Sequence, residues 1–201
     1  MNTFVFDTES TGLTSNDEVI QFSGLLLDDN LNLIRVVNFY CDTQVKIHPE
    51  ASKVNGLTSD LVHKLSGGKF FEDYYCNEPI FKLKDICWVG YNIDFDTRMV
   101  NNTLRNNGLP VHNFGKRTTS LDKKEGIYCY DVMQVFAAKR HSHKVKLAVA
   151  AQELKFTQDS LDKMYQKLLH LAGEHVDLTF HNAIYDAMIT WLLLIQEVRS
   201  N

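Results

Sequence analysis

The chain has 201 residues, 44% of them hydrophobic and 23% charged, which is enough for a sizeable core and short enough that one domain spanning residues 1–201 is the expectation. A formal net charge of -4 excludes a protein that holds nucleic acid by a globally basic surface, so any affinity for a polyanion has to be local or carried by bound cations. Cys41, Cys76, Cys87 and Cys129 have no zinc-like spacing, no secretion signal opens the chain, and the apolar stretch at residues 191–195 is broken by Gln196 and Glu197 well short of the roughly 20 residues a bilayer requires, so a cytoplasmic protein with reduced thiols is expected.

Residues 2–6 are aromatic and β-branched, as a buried strand should be, and Gly12 ends the run in a turn. Val19–Leu27 is apolar and reaches Asp28-Asp29-Asn30, a turn signal, after which residues 31–40 again have strand-like density; the three segments read as an antiparallel meander. Residues 49–65 read as helix and loop, with Gly56 as a breaker and Thr58 or Ser59 capping a helix over 60–65. Residues 66–78 lack clean periodicity and read as a loop that has room for a short helix. Ile86–Gly90 is a compact inner strand, followed by a helix from Asp94 or Phe95 that closes at Asn107-Gly108. Residues 127–131 repeat the pattern and run into a helix over 132–138. Amphipathic stretches follow at 144–154 and 160–172, and a last helix runs from near Asn182 to about Val198. Five strands, the first three consecutive and the others alternating with helices, predict an α/β domain with a mixed sheet.

The chemistry concentrates in three places. Asp7 and Glu9 are two apart at the end of the first strand, and a strand places such residues on one face, where both can grip one hard cation. A further Asp stands in Tyr91-Asn92-Ile93-Asp94-Phe95-Asp96, and a His and an Asp lie together in His181-Asn182-Ala183-Ile184-Tyr185-Asp186-Ala187. Hydrolysing a phosphodiester near neutral pH calls for charge relief that two divalent ions supply, with carboxylates as natural ligands for Mg2+ or Mn2+. Asp7, Glu9, Asp96 and Asp186 meet that need, and His181 is a suitable base because an imidazole titrates near neutrality.

These residues resemble the DEDDh, DnaQ-like 3'-to-5' exonuclease family, which includes polymerase proofreading subunits, RNase T and oligoribonuclease. The first family motif is matched by Asp7-Thr8-Glu9-Ser10-Thr11-Gly12-Leu13, the second by Tyr91 to Asp96 and the third by His181 to Ala187, and the resemblance covers nearly the whole chain. Pro49-Glu50-Ala51 through Gly56-Leu57-Thr58 and Tyr130-Asp131-Val132 resemble intermediate family landmarks. The resemblance implies an RNase H-like fold, two Mg2+ or Mn2+ ions and release of 5'-mononucleotides from a free 3' end. By position, Asp7, Glu9 and Asp186 would hold the ions, Asp96 would hold the second ion directly or through water, and His181 would be the general base. Ser10, Thr11, Gly12 and Leu13 would lie against the terminal nucleotide, with Leu13 packing on the base, and Asn92 and Phe95 would contribute to substrate binding. Tyr91 and Asn55 stand where the family usually has His, and neither departure falls on the catalytic set. The resemblance of Asn92-Ile93-Asp94-Phe95-Asp96 to the family's Asn-x-x-Phe-Asp implies Asp96 as the ligand and leaves Asp94 as a helix N-cap.

Several other features have plainer readings. The basic run from Lys139 to Lys146 reads as a solvated loop, with phosphate contact as the alternative. Phe70, Phe71, Tyr74 and Tyr75 read as core rather than base-stacking residues. His48, His63, His112, His141, His143, His170 and His175 read as structural or surface histidines. Single-stranded or frayed 3' ends are the expected partners, because the terminal nucleotide must leave its stack, with DNA slightly ahead of RNA. The alternatives are an exoribonuclease resembling RNase T or oligoribonuclease, and an end-binding accessory module without turnover. With no tethering tail after the last helix, a free-standing enzyme is expected, and the sequence specifies no polymerase or replication partner and no pathway such as repair or proofreading.

Overall fold

The computed structural model describes residues 1–123, 125–174 and 182–199. The opening meander forms as expected: β1 (Asn2–Ser10), β2 (Val19–Leu27) and β3 (Leu33–Tyr40) pair antiparallel in sequence order. The third strand starts two residues later than its apolar density suggests. Leu31 belongs to the turn, with φ of 62°, and the Asp28 carboxylate accepts the amides of Asn30 and Asn32. On β2, Gly24 admits the Phe4 ring, whose nearest atom lies 2.3 Å from where a Cβ would stand, so any side chain there would displace the core.

Helices α1 (Pro49–Asn55) and α2 (Ser59–Ser66) follow, separated by Gly56 in the left-handed conformation, with Thr58 capping α2 by accepting the Leu61 amide. Residues 66–78 are more regular than their mixed composition suggests and contain α3 (Phe71–Asn77). That helix forms on tertiary contact rather than periodicity: Phe71 is buried, and Tyr74 stacks on Phe39 with ring centroids 4.2 Å apart. The core reading therefore holds for Phe71, Tyr74 and Tyr75, whereas Phe70 stands at the N-cap position of α3 outside the core. Next come β4 (Ile86–Gly90), α4 (Asp94–Asn106), β5 (Lys116–Thr118), β6 (Ile127–Asp131) and α5 (Val132–Lys139). Residues 144–154 form only a single turn, α6 (Leu147–Ala150), and a 3-10 turn, before α7 (Gln158–Leu171) and α8 (Ala183–Arg199). No helix among the described residues is long and apolar enough to cross a membrane.

The sheet has six strands rather than the expected five, in the order β3-β2-β1-β4-β6-β5, with β4, β6 and β5 parallel to β1. The added strand, Lys-Arg-Thr, has no apolar residue to betray it, because it is held at the sheet edge by backbone pairing alone.

β1 is central and covered on both faces. Phe4 and Phe6 join Phe22, Phe39, Phe71, Phe81, Trp88 and Phe114 in an aromatic layer beneath α3 and α4, whereas Val5 joins Ile184, Met188 and Leu193 beneath α8. Strand alternation then sends Asp7 and Glu9 to the α8 face and Thr8 to the α4 face. Parallel pairing of β1 with β4 stops at Val5↔Val89, after which β4 turns away at Gly90, so the last half of β1 projects beyond its neighbour at the carboxyl edge of the sheet.

Candidate active site

Asp186 lies in the first turn of α8, at the end of the helix that favours negative charge. Asn182 caps that helix: its Oδ1 accepts the Ile184 amide at 3.0 Å and a hydrogen bond from Gln21 Nε2 at 3.1 Å, and its carbonyl accepts the Asp186 amide. Gln21 stands opposite Glu9 in the β1–β2 ladder, so one buried amide ties the strand of the acid pair to the helix of the third acid. As a result Asp7, Glu9 and Asp186, two ends of the sequence, bring carboxylate oxygens within 4.8 Å of one another.

The electrostatics of this cluster are unfavourable without a cation. Burial, then the charges of Asp96, Asp186 and Glu9, pushes the Asp7 carboxyl well above its usual range. Burial and the Asp186 charge raise Glu9 likewise, opposed by a hydrogen bond from the Asn55 side chain. Asn55 thus bears on the electrostatics of Glu9, although neither departure from the family's His falls on the acids themselves. The donor set is all oxygen and carries excess negative charge, which fits a hard divalent cation and not a soft one.

Asp96, 2% exposed on α4, stands beside the cluster but outside the group of oxygens within 4.8 Å of one another. Its Oδ1 accepts both the backbone amide of Thr8 at 3.0 Å and the Thr8 hydroxyl at 2.8 Å. The carboxylate thus satisfies an amide that β1 would otherwise leave orphaned beyond the end of β4. Burial raises Asp96 to about 7, with the Thr8 bonds pulling against it and the Asp186 charge adding to it. Asp94 is not the N-cap: Ile93 holds that position without a side-chain bond, and Asp94 sits in the first turn, 68% exposed and paired with Arg117. Burial separates these two acids in the same sense as the motif match does, with Asp96 inside and Asp94 in solvent.

The loop after β1 is fixed from below. Thr11 has no exposed surface and no free polar group: its amide donates to the Glu18 carbonyl, its carbonyl accepts the His48 amide, and its hydroxyl donates to Asp17 and accepts the Glu18 amide. It supports the loop rather than offering a surface to a ligand. The Ser10 hydroxyl is used on the Gly12 carbonyl at 2.7 Å. A Cβ on Gly12 would stand 2.6 Å from both Asp17 and His48, so the loop closes only with glycine there. Leu13, in contrast, is 74% exposed at the loop crest.

Asn92 adopts φ of 62°, and its amide donates to Asp131 Oδ1 at 3.0 Å; the same oxygen accepts the Met133 amide and so caps α5. Tyr91 donates its hydroxyl to the Val145 carbonyl, away from the acids, and Phe95 is half-buried beneath the Arg98 guanidinium. Lys139 and Arg140, at the head of the basic run, pair with Glu197 of α8, and Arg140 also with Glu153. His181, the expected base, lies outside the described residues, as does His175. Sequence reasoning missed Thr8 and Asp17, whose only signals are a hydroxyl between two acids and an acid closing the Thr14-Ser15-Asn16 turn.

Comparison with known proteins follows the same lines. No curated protein matches the chain. Among solved structures, E. coli Exonuclease I in complex with a dA16 oligonucleotide superposes with a TM-score of 0.65 at 18% identity, over 100% of this chain and 41% of that one. The zinc-bound form of the E. coli enzyme with single-stranded DNA gives 0.66 at 19% identity over 99% of this chain and 40% of that one. A moderately thermophilic Exonuclease I from Methylocaldum szegediense gives 0.65 at 22% identity over 100% and 40%. The chain spans about two fifths of the length of these structures, and at such identity they establish the RNase H-like fold alone. The family described as Exonuclease matches residues 4–194, so that with acids gathered at the carboxyl edge of this sheet the chain belongs to the exonuclease family, of the DnaQ-like DEDDh type.

Proposed function

We propose that the chain is a 3'-to-5' exonuclease that uses two Mg2+ or Mn2+ ions to release 5'-mononucleotides from single-stranded or frayed ends, with DNA ahead of RNA. The observation that carries this reading is the convergence of Asp7, Glu9 and Asp186 beside Asp96, with the carboxyls of Asp7, Glu9 and Asp96 held above their usual range. Those four residues would hold the ions. When bound, the cations supply charge relief at the phosphoryl group and at the leaving oxygen.

The rest of the chemistry belongs to the chain. Thr8 fixes Asp96 by one oxygen and leaves the other for ligation. Asn182 and Gln21 orient α8 so that Asp186 points at β1. Leu13, Gly12 and the Ser10 backbone offer the terminal nucleotide a rigid surface, with Asn92 and Phe95 on the far side. His181 keeps its sequence-based role as general base toward the attacking water. In this reading residues 1–201 act as one catalytic domain, and the free thiols of Cys41, Cys76, Cys87 and Cys129 suit a reducing cytoplasm.

Matched DNA and RNA oligonucleotides, labelled at either end, test the proposal directly. With Mg2+, a 5'-labelled strand should shorten stepwise from its 3' end with 5'-mononucleotides as product, chelator should stop it, and Asp7→Ala should be inactive. Faster turnover of RNA would move the substrate to ribonucleic acid. An absence of mononucleotides with both metals and both strands would end the enzymatic reading.

A further inference from the structure

Between the start of α5 and the sheet edge formed by β5 lies a recess of about 350 Å³ lined by Arg117, Thr118, Thr119, Asp131, Gln134 and Val135. The Arg117 guanidinium is held from two sides. Behind it, Nη1 stands 3.6 Å from Asp131 Oδ2, an oxygen that is buried and has no hydrogen-bond partner, while Asp131 Oδ1 is already filled by the amides of Asn92 and Met133. In front, Nη2 pairs with Asp94, which is largely exposed. Asp131 ends β6, and Asp94, the partner of Arg117 in front, shares one turn of α4 with Asp96, so the recess lies one helical turn from that acid.

We infer that this recess binds an internal phosphodiester of the nucleic-acid strand whose 3' end enters the acid cluster, with Arg117 as the residue that grips it. The inference rests on the exonuclease reading and adds where the strand is held. A chain of net charge -4 needs a local cation for this task, and Lys139 and Arg140, at the head of the basic run, are paired with Glu197. Arg117 is suited to it. A buried carboxylate fixes the guanidinium from behind, and the partner in front is a solvent-exposed carboxylate, a kind of pair that contributes little and that a phosphate can displace. The planar fork presents two N–H groups to the two free oxygens of a phosphodiester.

Three measurements on Arg117→Gln, Arg117→Lys and Asp94→Asn test this. On a long single strand, Arg117→Gln should raise KM about threefold to tenfold with kcat retained and should reduce the slope of log KM against log salt by about 1. Arg117→Lys should recover part of that loss. Asp94→Asn removes the competing carboxylate and should lower KM. The p-nitrophenyl ester of thymidine 5'-monophosphate, which has no internal phosphodiester, reports the acid cluster alone, and the Arg117→Gln effect should be absent on it. Fluorescence anisotropy with a labelled strand reads the same contact without turnover, and inorganic phosphate should compete only weakly. Wild-type KM and salt slope in Arg117→Gln, an equal loss on strand and ester, or weaker strand binding in Asp94→Asn would overturn the inference. A wild type that hydrolyses neither substrate would instead remove the exonuclease reading, and the anisotropy of Arg117→Gln would still decide the binding site.

Discussion

Two groups of acids lie at the same end of β1 and are treated in opposite ways. Asp17 is buried, yet its carboxyl is held below the usual range: burial pushes it up, but bonds from the Thr14 hydroxyl and amide and the Thr11 hydroxyl, with His48 nearby, outweigh that. Asp7 and Glu9, partly buried, and Asp96, fully buried, bear on one another's charge, and all three are raised. The first acid is satisfied by the fold and stabilises it. The second group is left frustrated by the fold, and such an arrangement persists where the missing charge is supplied from outside.

The sharpest way to break this contrast is Asp7→Asn. It should lower exonuclease activity by about a thousandfold or more while raising the metal-free melting temperature by about 2–6 °C, since it removes repulsion and no bond. Melting and product assays on one preparation would decide; a destabilised Asp7→Asn would mean that the cluster is structural.

His181→Ala should reduce kcat by more than about tenfold while leaving the Mn2+ binding isotherm nearly unchanged, as a base and not a ligand requires. Loss of metal binding in that variant would contradict the assignment.

Thr8→Val removes the hydroxyl from Asp96 but keeps the backbone bond. It should raise the half-saturating metal concentration about tenfold, with Thr8→Ser close to wild type. Calorimetric titration with Mn2+ separates this from a loss of folding.

The two groups should also differ in pH dependence. Raised carboxyls keep protons in the folded chain that the unfolded chain has lost, so metal-free stability is highest near pH 4 and falls as pH rises toward about 7, the value for Asp96. Divalent cation should therefore raise the melting temperature more at pH 8 than at pH 5. Asp17 acts in the other sense: its contribution is present above about pH 4 and is lost as pH falls through its lowered folded value. Asp17→Ala should cost about 2 kcal/mol at pH 7 and much less at pH 3, measured by denaturant titration. The smallest effect on turnover, within about twofold, is expected from Glu197→Ala, which takes one buried carboxylate from Lys139 and Arg140 and leaves Arg140 its pair with Glu153. A large loss of activity there would return the basic run to the substrate path.

Much of this was legible along the chain because it is written in short-range pattern. The meander, the inner strand at 86–90 and its helix follow from alternation and turn residues, and the acid pair Asp7 and Glu9 is set on one face by the period of a strand. The short helix at 71–77 and the edge strand at 116–118 were not legible in the same way, because the first depends on Phe39 and the second on backbone pairing to β6.

The sequence by itself determined the sheet's first strands, the order of the acids and the family they resemble, since each of these is a matter of residue type and spacing. Only the tertiary structure decided that Asp96 and not Asp94 is buried against β1, that Thr8 holds it, and that the Asn55 side chain opposes the raised carboxyl of Glu9. The physical reason is common to all three. A carboxylate's role depends on how much water it has lost and which donors face it, and both are set by elements that meet only when the chain is folded.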